Sequence, residues 1–253
     1  MSNCIVEFAD FLASGRPVNW VKELKSYRWG RAGTDNWQTG IGERLQMHSH
    51  IADAVRNSDS VAFGRALSQV SKWGCVKAIG HQNRLELFRL APRMAAGASI
   101  HADDLVRNRC ATMTKVYAML NPRHWTIYDS RVGWALQELV KSYQPTGELA
   151  PELEFRIPKP KSVRGHAPDW GRLKGATDVG TTCGYVNSDL QGRDSFVRAS
   201  EVLRLTAEAL NLTGRGPPDD IGHARKADPT WQVYHLEMAL FMLGKSAGET
   251  SDE

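Results

Sequence analysis

The sequence predicts a mainly α-helical fold. Apolar residues recur three and four positions apart along most of the chain. Proline and short polar residues stand where those periods begin and end. No alternating strand pattern of useful length precedes residue 150.

The 253 residues suit one large domain or two intimate lobes. A hydrophobic content of 42% is ordinary for a globular chain and argues against disorder. No apolar run reaches the ~18 residues that a membrane helix needs, so no membrane association is expected. The first residues, MSNCIVEFADFLAS, mix acids with apolar residues and lack a basic leading segment, unlike a secretory signal. Cys4, Cys75, Cys110 and Cys183 are scattered without a CxxC, which fits reduced thiols in a cytoplasmic protein. A net charge of +4 and a pI near 8.9 are compatible with a nucleic-acid partner.

In chain order, residues 3–13 and 17–28 read as two amphipathic helices. Ile5, Phe8, Phe11 and Leu12 line the first; Pro17 suits the opening turn of the second. Residues 29–42, WGRAGTDNWQTGIG, break the period and read as a loop; its tryptophans either close over a core or insert into a partner. Helices are expected over 43–56, over 59–73 after Ser58-Asp59, over 82–96 with Pro92 disturbing it, and over 101–110.

The central stretch is Thr112 to Leu136, a helix, a turn and a helix. Val116, Met119 and Leu120 mark the first helix, and Asn121-Pro122 stops it, because a residue before proline avoids helical dihedrals. Asp129 stands where an N-cap belongs, before Val132, Ala135, Leu136 and Leu139. Lys115 and Asp129 thus start two consecutive helices and can face one pocket.

Residues 144–192 change character. Prolines punctuate them, and Arg156, Lys159, Lys161, Arg164, Arg172 and Lys174 gather positive charge around Trp170. A solvated loop and a phosphate-binding loop both fit such a run. Residues 195–211 resume a helix, and a last helix is expected from Asp228-Pro229 through TWQVYHLEMALFMLGK. It is apolar nearly all round, so it belongs at the centre, and SAGETSDE reads as a frayed tail. His48-Ser-His50 lacks a third ligand in register and reads as a helix surface, with no metal expected.

TKVYAML…IYDSRV resembles the lysine-to-aspartate segment of helix-hairpin-helix DNA glycosylases of the 8-oxoguanine type. Thr114-Lys115-Val116 fits a "TKVAD"-like start, and Tyr128-Asp129-Ser130-Arg131-Val132 fits a "PVDVH"-like loop. Glu237-Met238-Ala239-Leu240-Phe241 fits, in the expected order, the C-terminal "QAVLF" segment that faces the flipped base. The chain departs from the pattern where a Gly-x-Gly hairpin would precede the lysine: Arg109-Cys110-Ala111-Thr112-Met113 stands there. Its scattered cysteines also cannot form the iron–sulfur loop of some glycosylase branches.

The resemblance implies one two-lobed helical glycosylase domain over 1–253, with a basic Pro/Gly-rich insertion near 144–192. It implies Lys115 as nucleophile and Asp129 as the carboxylate that stabilises sugar charge. Glu237 and Phe241 would hold the base, while Arg131, Arg164, Arg172 and Lys174 contact DNA. No cofactor is needed, and the expected partner of this monomer is duplex DNA carrying a modified base. An ionised glutamate in place of the glutamine only accepts hydrogen bonds, which favours a base with an exocyclic amine. Glucosylated hydroxymethylcytosine of phage DNA is the candidate; repair of 8-oxoguanine and non-catalytic nucleic-acid binding are the alternatives.

Overall fold

The computed structural model describes residues 2–28, 36–107, 110–144, 149–158, 188–214, 216–217 and 230–249. Among them are nine α-helices and two 3-10 turns, with no strand. The helices are α1 (Asn3–Ala13), α2 (Trp20–Ser26), α3 (Trp37–Arg56), α4 (Ser60–Trp73), α5 (His81–Ala95), α6 (Cys110–Leu120), α7 (Ser130–Tyr143), α8 (Asp189–Leu212) and α9 (Val233–Glu249).

Short polar side chains start these helices by accepting otherwise orphaned backbone N–H groups. Asn19 caps α2, Asp59 caps α4 through Val61 and Ala62, Asp129 caps α7 and Ser188 caps α8. One continuous apolar core joins them, from Ile5 to Phe241. In it α1 packs on α8, α3 on α4, and α9 on both α2 and α7. Every residue of α9 from Val233 to Phe241 is buried, as its apolar circumference requires. Each large apolar side chain withdrawn from water stabilises the fold by ~1.5–3 kcal/mol. No described helix is long and apolar enough to cross a membrane.

Several boundaries differ from the sequence reading. Helix α3 begins at Trp37, inside the segment read as a loop, because Asn36 caps it through the Thr39 N–H. Gly40 serves packing there: a Cβ would lie 3.0 Å from a Tyr27 ring carbon and 3.1 Å from the Met238 methyl. Trp37 is buried in the core, while Trp29 lies outside the described residues. Helix α2 starts at Trp20, not Pro17, and α5 runs through Pro92.

The helix expected over 101–110 is only a 3-10 turn, Ala102–Asp104. Arg193 of α8 reaches across and donates to the Ala102 and Leu105 carbonyls, so a side chain satisfies groups that a helix would have paired. Helix α8 starts at Asp189, six residues earlier than expected. Of the insertion, residues 149–158 are packed rather than solvated: Phe155 and Ile157 are buried, and Gln137 donates to the Phe155 carbonyl. Asp228 and Pro229 lie outside the described residues, and α9 opens at Val233, after Asn211 has paired with both backbone groups of Trp231. Helix α9 reaches Glu249, into the segment read as a tail.

Candidate active site

Thr114 sets the geometry. Its buried hydroxyl donates to the Tyr128 carbonyl at 3.2 Å and accepts from the Tyr128 N–H at 3.1 Å. This clamp joins the first turns of α6 to the residue before Asp129, so Lys115 and Asp129, each one position beyond a clamped residue, come to the same place. Asp129 Oδ1 accepts from the Arg131 and Val132 N–H groups at 3.0 and 3.2 Å. Its Oδ2 takes no hydrogen bond among the described residues.

Lys115 is buried, 5% exposed, and its Nζ donates back to the Ala111 carbonyl at 3.2 Å. Its stem runs over the end of α4, where a Cβ on Gly74 would lie 2.5 Å from Lys115 Cδ. Glycine is therefore what lets the lysine pass.

Helix α9 brings the third side of the site. The Arg131 guanidinium lies over the Phe241 ring, 4.5 Å from its centroid. One turn on, a Cβ at Gly244 would overlap the Arg131 carbonyl, 2.8 Å from its carbon atom. Gly244→Ala is expected to push α9 off the start of α7 and destabilise the fold by ~1–3 kcal/mol. Chemical denaturation measures this; an unchanged midpoint would mean that the two helices are not held this close.

Lys115, Asp129, Glu237 and Phe241 line one small cavity with Tyr27, Arg44, Trp73 and Ile127. The cavity holds about 10 Å³, room for roughly one water. A nucleobase needs far more, so the site is closed in this state. Arg164, Arg172 and Lys174 lie outside the described residues.

Arg44, Tyr27, Trp73 and Ile127 are the members that the sequence reading missed. Arg44 donates to Glu237 through both terminal nitrogens, from Nη1 to Oε2 and from Nη2 to Oε1, the latter at 3.1 Å. Both partners are buried, Arg44 at 3% and Glu237 at 1% exposure. Burial opposes the charge on Arg44, but Glu237 and Tyr27 outweigh it and hold the guanidinium protonated more firmly than usual. Burial raises the Glu237 carboxyl, and Arg44 offsets only part of the shift. Burial also pushes the Tyr27 phenol up to about 12, so it stays protonated. Trp73 donates to Glu43 at 2.8 Å, and the Arg44 guanidinium sits 5.5 Å from its ring centroid.

A sequence signal for Arg44 did exist. Ile41, Arg44, Met47 and Ile51 share one helical face, which puts a charge on the buried side of α3. A buried arginine and a buried glutamate each need a partner.

His235 is wholly buried beside this pair, and its Nδ1 accepts from the Gln232 N–H at 3.1 Å. Burial, helped by Arg44, lowers it from 6.5 to about 3. The unfolded chain therefore binds a proton between those values that the folded chain refuses. Stability is complete above about pH 6.5 and is lost as pH falls, by about 2 kcal/mol between pH 7 and 5 from this one group. Denaturant unfolding at the two pH values should show a shallower loss in His235→Gln; equal slopes would remove the histidine from the pH response.

His48 and His50 pair with the Met119 carbonyl and with Gln69. No group of three or more His, Cys, Asp or Glu among the described residues could hold a metal ion. Comparison with protein-family models, curated proteins and solved structures finds no match to this chain.

Proposed function

We propose that this protein is a DNA glycosylase that flips a modified base from duplex DNA into the Lys115–Asp129 cavity and cleaves its N-glycosidic bond. The observation that carries the reading is the convergence of a buried lysine, a capped carboxylate with one oxygen unused, and an aromatic ring on one cavity.

The chemistry follows from those groups. As the bond from C1′ to the base breaks, its electron pair leaves with the base nitrogen, which takes up a proton, and positive charge develops on the sugar. Asp129, fixed through Oδ1, presents Oδ2 to that charge. Lys115 gives that proton to the departing base and attacks C1′ with the freed electron pair. The C1′–O4′ bond then breaks as O4′ takes a second amine proton, leaving a Schiff base from which strand cleavage can follow. Phe241 offers a stacking face and Glu237 a polar edge. The closed cavity requires that base entry and opening occur together.

In this reading the chain is a monomeric, cytoplasmic two-lobed domain, with Arg131, Arg164, Arg172 and Lys174 on the DNA backbone. The substrate is a cytosine with a bulky 5-substituent, glucosylated hydroxymethylcytosine of phage DNA, because an enzyme excising plain cytosine would destroy its host's genome. The closed cavity favours a second reading, a nucleic-acid-binding protein without catalysis.

Borohydride trapping separates the readings. Duplexes carry glucosylated hydroxymethylcytosine, hydroxymethylcytosine, plain cytosine or 8-oxoguanine. The expected result is a covalent product on a modified cytosine that Lys115→Ala abolishes. Base release that survives Lys115→Ala makes water the nucleophile. Release confined to 8-oxoguanine leaves repair as the function, and no release from any duplex leaves the binding reading.

A further inference from the structure

The fork between Arg44 and Glu237 is expensive to bury, and apolar residues of similar volume commonly replace such pairs without loss of stability. It nevertheless lines the cavity beside Lys115 and Asp129. Arg44 also keeps one donor, Nε–H, that is sealed from solvent and meets no well-aligned acceptor among the described residues, although the Tyr27 hydroxyl interacts with the same guanidinium. A buried donor without a well-aligned acceptor calls for a reason, and a ligand atom supplies one.

We propose that Arg44 and Glu237 act as one recognition unit for the base, a neutral donor–acceptor pair that together supplies what a single amide would. This rests on the glycosylase reading and deepens it. Glutamate alone would only accept. Joined to Arg44, it keeps lone pairs for a donor on the base, while Arg44 Nε–H meets an acceptor beside it. The matching edge is the N4 amine and N3 of a cytosine. The corresponding uracil presents O4 and N3–H, the reverse order, and leaves both protein groups opposed by like partners. Recognition thus depends on α3, which holds Arg44, as well as on α9.

The test compares binding to duplexes bearing hydroxymethylcytosine and hydroxymethyluracil, which share a 5-substituent and differ in this edge. The wild-type protein is expected to prefer the cytosine on the order of ten- to a hundredfold. The double substitution R44M/E237L, its fold checked by circular dichroism, should erase the preference. R44Q/E237Q, which restores a donor and an acceptor as two amides, should recover most of it. Should R44M/E237L fail to fold, R44Q/E237Q decides: retained preference supports the unit, and lost preference overturns it. A preference undiminished in R44M/E237L makes the pair structural and overturns the inference alone. A wild-type protein that ignores the hydroxymethylcytosine duplex but releases 8-oxoguanine also overturns it and leaves the glycosylase standing. One that acts on no duplex overturns both.

Discussion

Asp129→Asn is expected to lower base release by on the order of a hundred- to a thousandfold, with folding and duplex binding kept. The substitution separates two jobs held by one side chain. Oδ1 caps α7 by accepting from Arg131 and Val132, and asparagine caps helices about as well as aspartate. What asparagine lacks is the negative charge on the oxygen left unused. That charge matters little to a bound, intact nucleotide and much once the sugar becomes positive, so the loss falls on the transition state. Single-turnover base release and duplex affinity, measured on the same preparation, read the two effects apart. Full release by Asp129→Asn would make the aspartate a cap and nothing more.

Glu237→Leu should be the most destabilising single change near the site, at ~3–5 kcal/mol, because it strands the buried Arg44 charge. Adding Arg44→Met should recover most of that loss, since neither charge then remains to be compensated. Denaturant midpoints of the wild type, the two single variants and the double variant form a cycle. Additive losses would mean that the two side chains do not depend on one another. The cycle also secures the recognition test, because it shows whether the apolar pair folds.

The helical class was written in the sequence because it depends on near neighbours. Spacing along α4, α6 and α7 and the caps Asp59 and Asp129 involve residues a turn apart. Helix α4 begins and ends where the pattern puts it, and α7 begins after its cap; α6 opens earlier, at Cys110, so Lys115 stands in its second turn and not at its start. The meeting of Lys115 and Asp129 was nearly as legible, since only one turn separates their helices and Thr114 clamps it. Where distant groups decide, the local pattern misleads. Gly40 looks like a loop residue until Tyr27 and Met238 crowd against it. The 101–107 segment looks helical until Arg193 satisfies its carbonyls from α8. Glu237 shows by itself only that a buried carboxylate needs a counterpart. Which of the chain's cations supplies it is decided by packing: α3 and α9 meet only in the folded core, where Arg44, 193 residues away in sequence, reaches it with both ends of its fork.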